Sequence, residues 1–510
     1  MRSFLFVLYA LLLASVNAAP CRVVIDAPGH VGEQVLLHRF DDLFTLRTVR
    51  LASTVIDAQS RAEMVVEIEG TVKALLTLGD RSAELFLRGD RNYHLRPLIN
   101  AQAPRTVHGL AGMELEFIDL DPLDVNALTT DLYQRLDGFI AEDLATDEVA
   151  GMQAVEVLRR EGEVKRTEPS DSVTRPGTLF FTPTWSKARV DTFSIKLKKF
   201  YASVDDPWFQ RSVDIGLCGL YQGPQSDPME LYGRCLKGRT PDYDTPEYVR
   251  FFRSHFTDHL LVHPFRTDEA LLLRYVKDAR TDSLKILLKT HDALRDDDRL
   301  CELVMIDQLY LNHPGKIFDR TGALRILEDV ATTSAYPEHR RIAANMVWSL
   351  TAMRPGSTLP ELRVHNTVGV PVELDSVFHG ATCLTITASW CTYCDVEMRA
   401  LGKLQETYGD VMNYVVIALD SNATELRRYA ASLPGDRWTW LMADDPTALR
   451  EALRIQAVPA FILLNDGIVA QNPGPEPSQG LAGVLHAMRV AADEKDRIKF
   501  GSDAPPPPRR

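Results

Sequence analysis

The chain has 510 residues, 45% hydrophobic and 25% charged, with a formal net charge of −13. That length exceeds what a single hydrophobic core sustains, so several domains are expected, and the composition is globular rather than disordered or fibrous. The acidic balance excludes non-specific attraction to nucleic acid or to an anionic membrane, and otherwise reads as solubility.

Met1-Arg2-Ser3 is a short basic start, Phe4 to Ala14 a compact apolar run, and Val16-Asn17-Ala18 carries small or tolerated residues at cleavage positions. Residues 1–18 therefore read as a secretory signal peptide. The run is shorter than the roughly 20 apolar residues of a membrane span. Cys21 raises a lipoprotein reading, which Pro20 immediately before it opposes. Export, to the periplasm first and to the envelope or exterior otherwise, would place the chain in an oxidising compartment.

Residues 19–121 read as a β-rich, sandwich-like domain. Met64 to Gly70 and Ala83 to Asp90 are apolar-rich runs ended by turn residues, and Tyr93-His94-Leu95 continues the pattern. No catalytic constellation stands out there. Residues 122–354 read as mainly helical. Ser283 to Leu288, Asp298 to Leu311 and Asp319 to Val330 have helical character, and Ile342, Met346, Val347 and Leu350 recur at helical spacing behind Pro337. The aromatic stretch Tyr248 to Phe256 reads as core packing before it reads as a ligand surface. His255, His259 and His263 fall at i, i+4 and i+8 of one expected helix face. His at i and i+4 can share a metal, but no carboxylate motif accompanies them, and no metal site is expected.

Pro355-Gly356 opens a new unit, taken as residues 355–492. Its expected order is a hairpin (Leu362 to Val364 with Val370 to Leu374), a strand into Trp390, helix Asp395–Thr407 and strand Tyr414–Leu419. Helix Ala423–Ser432, strand Trp438–Met442 and helix Thr447–Arg454 follow. Strand Val458–Leu464 then turns at Asn465-Asp466-Gly467 into Ile468–Ala470, and helix Gly480–Ala491 ends the domain. Residues 493–510, with four consecutive prolines, read as a disordered tail.

Seven cysteines stand at 21, 218, 235, 301, 383, 391 and 394. Cys301 and Cys383 lie in apolar patterns and read as buried thiols. Cys218 and Cys235 are open to pairing, which sequence alone does not decide. Trp390-Cys391-Thr392-Tyr393-Cys394 is the most informative motif. It follows the apolar, β-branched run Ala381 to Ser389 and opens a helix. Two thiols three residues apart at a helix N-terminus can close a disulfide ring, and the partial positive charge there favours thiolate. That is the equipment of thiol–disulfide exchange, in which one sulfur attacks and the other resolves. Half of a zinc site would carry the same spacing, but the strand–CxxC–helix context favours a redox centre.

This order of elements resembles the thioredoxin superfamily, and within it the exported branch similar to TlpA and ResA. The resemblance rests on Pro355 to Leu362, Gly369, Ala388-Ser389-Trp390-Cys391-x-x-Cys394 and Val458-Pro459, about a quarter of the chain. It implies a C-terminal α/β fold with a central mixed sheet flanked by helices. It also implies Cys391 as the attacking thiolate, Cys394 as the resolving thiol, and Trp390 covering the disulfide. Pro459 matches the cis-proline that faces the two cysteines, so that Val458 can pair with an extended substrate. Glu397 falls where that branch carries a carboxylate that tunes the thiols. Two positions depart from the branch: Tyr393 and Arg399 stand where proline is frequent. Thr385 occupies the place of a buried aspartate in ordinary thioredoxins.

The expected activity is thiol–disulfide oxidoreduction on exported proteins, as reductase or isomerase. A membrane thiol-electron transporter is the implied electron source, and no cofactor is expected beyond the Cys391–Cys394 disulfide. A disulfide-donating oxidase is the alternative, weakened by the lack of histidine between the cysteines. A peroxidase lacks its Pro-x-x-x-Thr-x-x-Cys pattern. A binding protein that uses the fold as scaffold would have little reason to keep both cysteines.

Overall fold

The computed structural model describes residues 18–79, 81–99, 111–142, 187–222, 226–420, 422–434, 437–455 and 457–502. The expected signal segment up to residue 17 and the prolines of the tail lie outside them. The chain divides into two compact units between Val347 and Trp348.

The first unit begins with nine strands: β1 Ala19–Asp26, β2 Gln34–Phe40, β3 Thr48–Val55, β4 Arg61–Ile68, β5 Thr71–Leu78, β6 Arg81–Arg88, β7 Asn92–Leu98, β8 Ala111–Gly112 and β9 Glu114–Phe117. They form a four-stranded sheet, β4-β1-β7-β9, and a five-stranded sheet, β3-β2-β5-β6-β8. Side chains alternate across a pleat, so every second residue of β4 (Ala62, Met64, Val66, Ile68) is buried. They share one core with Val35 and Leu37 of β2 and Leu76 and Leu78 of β5, which makes the pair of sheets a sandwich. Cys21 lies fully buried in that core, and its burial pushes the thiol up to about 12.

Helices follow: α1 at 125–142, α2 Lys187–Phe200, α3 Pro207–Leu220, α4 Pro228–Cys235, α5 Pro246–His255, α6 His259–Lys277, α7 Thr281–Leu288, α8 Asp298–Asn312, α9 Arg320–Thr333 and α10 Pro337–Thr351. Asp206, Asp227, Asp297 and Asp319 cap four of them with side-chain hydrogen bonds to first-turn amides. Cys218 and Cys235 form a disulfide that joins α3 to α4. Phe251, Phe252 and Phe256 are buried, so the aromatic stretch is core. The single helix face expected for His255, His259 and His263 is corrected: α5 ends at His255, Asp258 takes a left-handed φ of 52°, and α6 starts at His259. His259 and His263 instead pack their rings against His291, both at 4.8 Å between centroids. Burial first, and neighbouring histidines second, push His259 down to about 3. Among the described residues no group of His, Cys, Asp or Glu is placed to hold a metal ion.

A buried polar cluster ties α8 to α10. The Glu302 carboxylate is met by Lys285 Nζ at 3.0 Å, His339 Nδ1 at 2.8 Å and the Ser334 hydroxyl. Arg299 donates to the Tyr243 hydroxyl at 3.0 Å, and Tyr243 lies 2.7 Å from His339 Nε2. A carboxylate at Glu302 can only accept, so the proton between it and His339 sits on Nδ1.

The second unit is built on a six-stranded sheet. Its elements are β10 Val364–Asn366, the 3-10 turn Leu374–Ser376, β11 Ala381–Thr387, α11 Thr392–Tyr408, β12 Asn413–Ala418, α12 Ala423–Ser432, β13 Thr439–Ala443, α13 Pro446–Ala452, β14 Ala460–Asn465, β15 Ile468–Gln471 and α14 Leu481–Ser502. The strand order is β10-β13-β12-β11-β14-β15. The three central strands run parallel, and β14, β15 and β10 pair antiparallel to their neighbours. The second unit is thus a mixed sheet flanked by helices.

Both faces of the sheet are covered, in keeping with parallel strands at its centre. Leu384, Ile386, Val415, Ile417, Ile462 and Leu464 face Leu449 and Leu453 around α13. The alternate residues Cys383, Tyr414, Val416, Phe461 and Leu463 face Met398 and Leu401 of α11 and Leu481 and Leu485 of α14. Asp466 and Gly467, at φ 50° and 77°, form the β14–β15 turn. Two expectations are corrected. The hairpin before β11 is shorter and shifted: Asn366 N donates to the Val370 carbonyl at 2.8 Å and Val372 N to the Val364 carbonyl at 3.0 Å, on either side of the His365–Pro371 bridge, and β10 pairs with β13 along its other edge. The last helix runs to Ser502, ten residues into the stretch read as disordered.

Candidate active site

The site is assembled where β11 ends and α11 begins. Leu384 to Ala388 are buried, so the strand delivers Ser389 and Trp390 to the surface at its C-terminal end. Asp420, just past the end of the adjacent β12, fixes that exit: it accepts from Ser389 N at 3.0 Å and from the Ser389 hydroxyl. Cys391 then acts as the N-cap of α11, with extended backbone (φ −93°, ψ 109°) and its sulfur accepting from Cys394 N at 3.1 Å. An amide N–H aimed at sulfur, together with the helix dipole, stabilises a thiolate at Cys391 once the pair is reduced.

Cys391 and Cys394 are joined as a disulfide. Their exposures differ: Cys391 is half-buried, whereas Cys394 is 0% exposed. The difference follows from helix geometry, since the cap residue stands at the rim and the residue one turn on points into the core against the sheet. Opposite them the Val458–Pro459 peptide is cis, and the Val458 carbonyl oxygen lies 3.7 Å from Cys391 Sγ. Trp390 stands at the rim, 69% exposed, with Tyr393 and Val396 also exposed.

Glu397 lies one turn beyond Cys394, on the same face of α11, and is 1% exposed. Its two oxygens accept from one residue, Ser478: the hydroxyl at 2.6 Å and the backbone N–H at 3.1 Å. Ser478 belongs to the segment between β15 and α14. The same segment supplies Glu476, which accepts from the Tyr393 hydroxyl at 2.9 Å and thereby raises the tyrosine above its ordinary range. A bond from Gly474 N to the Phe461 carbonyl at 2.7 Å anchors the segment to β14.

Arg399, at the position where a proline is frequent in the resembling branch, pairs with Asp395 at 2.9 Å within a continuous helix. Thr385 is fully buried 3.8 Å from Cys383, whose thiol burial pushes up to about 12. The structure thus brings Cys391, Cys394, Glu397 and Val458 to one place and leaves Trp390 in solvent beside it. Sequence reasoning missed Asp420, Glu476 and Ser478. They carry no local motif, and each meets its partner only through folding, 31 to 83 positions apart.

No family model matches the chain, and no curated protein matches it. Solved structures do. A putative thiol-disulfide oxidoreductase from Bacteroides vulgatus is 24% identical over 26% of this chain and 94% of its own, with a TM-score of 0.24. A thioredoxin-like protein from Bacteroides caccae is 15% identical over 46% of this chain and 86% of its own, with a TM-score of 0.26. A putative thiol:disulfide interchange protein DsbE from Chlorobium tepidum is 21% identical over 27% of this chain and 97% of its own, with a TM-score of 0.23.

Proposed function

We propose that this chain is an exported thiol–disulfide oxidoreductase acting on protein disulfides of the cell envelope, as reductase or isomerase. The observation that carries the reading is the asymmetric sulfur pair. A half-buried Cys391 caps a helix, accepts an amide N–H and faces the Val458 carbonyl, while Cys394 lies fully buried behind it. In the reduced state Cys391 thiolate attacks a client disulfide. A Cys391–client bond forms, and one client sulfur leaves as thiolate and takes a proton from water. Cys394 then gives up its proton and attacks Cys391 Sγ, which closes the pair and releases the second client sulfur. Two electrons pass from the pair to the client, and an external dithiol must restore them.

Several features support the wider reading. The backbone at Val458, set beside the sulfurs, suits pairing with an extended client segment. The Cys218–Cys235 disulfide suits an oxidising compartment. A membrane thiol-electron transporter is the proposed donor, because an oxidising compartment would otherwise leave the pair as a disulfide. The test is turnover of a generic protein disulfide with a supplied dithiol. The intact chain reduces it, and Cys391→Ser abolishes the reaction. Equal turnover by Cys391→Ser would refute the assignment.

A further inference from the structure

The first half of α6 is set apart from its surroundings at both ends. Asp258, just before it, holds a left-handed φ of 52°, and Asp268 leaves the helix at φ −155° and ψ 77°. Asp268 then accepts from Leu271 N at 3.0 Å, so the second half begins with a cap of its own. Between these breaks Pro264 brings no N–H to the helix, and only His259, Leu260 and Pro264 are buried. So little buried apolar surface gives residues 259–267 little stability of their own. Histidine rings supply the rest. His259 and His263 each pack on His291 of the α7–α8 link at 4.8 Å between centroids, and lie 6.0 Å from each other. We propose that this cluster is an acid-opened latch: neutral imidazoles hold residues 259–267 against the α7–α8 link, and their protonation releases that half-helix on its two hinges.

The hydrogen bonds specify the neutral form. The Thr290 hydroxyl donates to the Leu287 carbonyl at 2.7 Å, so it accepts from His263 Nε2 at 2.9 Å. His291 Nδ1 accepts from Ala293 N at 3.2 Å, so its single proton sits on Nε2. A second proton on His291 would fall on Nδ1, against the Ala293 N–H. His259 is 8% exposed, and among the described residues its Nε2 meets no hydrogen-bond partner. It also opens α6, where the helix dipole opposes a positive charge. Charging these rings therefore breaks a bond, strands a charge in the interior or sets two cations side by side.

The surroundings offset little of that cost. From α5 the facing group is His255, which burial pushes down to about 4. From the α7–α8 link the facing groups are His291 and Asp292, and Asp292 alone favours protonation of His263 and His291. Arg295 pairs with Asp292. Among the described residues no charged side chain of α7, α8 or α9 acts on the rings. A histidine freed into water binds its proton near 6.5, whereas burial holds His259 in the closed latch at about 3. Opening is thus favoured as pH falls below 6.5 and is indifferent to pH above it. Between pH 7.5 and 5.5, each histidine kept neutral by closure raises the open fraction about tenfold.

Hydrogen exchange of the full-length protein across that range, corrected for its intrinsic pH dependence, reads the latch. Peptides covering residues 259–267 should lose protection about tenfold or more, while peptides of α3, which carries no histidine, keep theirs. His259→Phe keeps an aromatic ring and removes the most deeply held imidazole. His291→Asn keeps an acceptor for the Ala293 amide and cannot titrate. Each variant should shrink the acid loss, and the double variant should leave about threefold or less. No acid loss in residues 259–267, a loss that α3 shares equally, or a full loss in the double variant would overturn the latch. Should His259→Phe fail to fold, His291→Asn alone decides: a loss smaller than that of wild type supports the latch, and an identical loss overturns it.

Discussion

Replacing Glu302 by glutamine removes one buried charge from the first unit while keeping its shape. Burial alone would raise this carboxyl, but hydrogen bonds from His339, Ser334 and Lys285 outweigh it and hold the group at about 2, against an ordinary 4.5. A carboxyl held down in the fold stabilises the native state above its unfolded value, and loses that contribution as pH falls through the folded value. The window here runs from 4.5 down to about 2. At about 1.4 kcal/mol for each pH unit, the contribution is about 3 kcal/mol at neutral pH. Other carboxyls titrate in the same range, so the informative quantity is the difference between wild type and Glu302→Gln. Urea unfolding of the full chain, followed by hydrogen exchange in α8 peptides, isolates it. The difference should be about 3 kcal/mol above pH 5 and shrink steadily below 4.5. A difference that stays constant from pH 7 to 2 would refute the claim that these three partners hold the carboxylate in its charged form.

Further outcomes are expected elsewhere. Gly402 lies inside α11, and a Cβ there would sit 1.8 Å from the Pro434 carbonyl oxygen, so Gly402→Ala should destabilise the second unit by about 3 kcal/mol in urea melts. Breaking the Cys218–Cys235 link, which closes 17 residues, should cost the first unit about 3 kcal/mol, with turnover of a generic disulfide retained. After mild reduction, alkylation at slightly acidic pH should label Cys391 well before Cys394. Cys21, Cys301 and Cys383, each pushed up to about 12 chiefly by burial, should stay unlabelled while the protein is folded. Equal labelling of Cys391 and Cys394 would remove their assigned roles.

What sequence alone could reveal of this molecule follows from the range of the forces involved. The run Ala381 to Ser389 and the motif after it are local: β-branched residues make the strand, Cys391 caps the helix, and both are readable in one window. The alternation in β4 and the Asn465-Asp466-Gly467 turn are equally local. The hairpin before β11 is legible from its Asn366 to Gly369 turn, but which residues form its rungs, and that β10 also pairs with β13, is set only by folding. The His255 to His263 face failed because nothing in its periodicity marks the left-handed turn at Asp258. At the site, Cys391, Cys394 and Glu397 lie on one short helix segment and are legible as a spacing. Ser478 and Asp420 are not: a serine in a proline-rich loop and an aspartate after a strand have no signature until folding sets them against Glu397 and Ser389.

The central claim is that Cys391 attacks and Cys394 resolves, and trapping tests it most directly. Cys394→Ser, reduced and exposed to disulfide-bearing envelope proteins, should accumulate covalent adducts that non-reducing gels display and a reductant dissolves. Adducts should vanish in Cys391→Ser and in the double variant, because resolution has nothing to act on without attack. Adducts that persist in Cys391→Ser through Cys218, Cys235 or Cys301 would place the chemistry in the first unit and contradict the account.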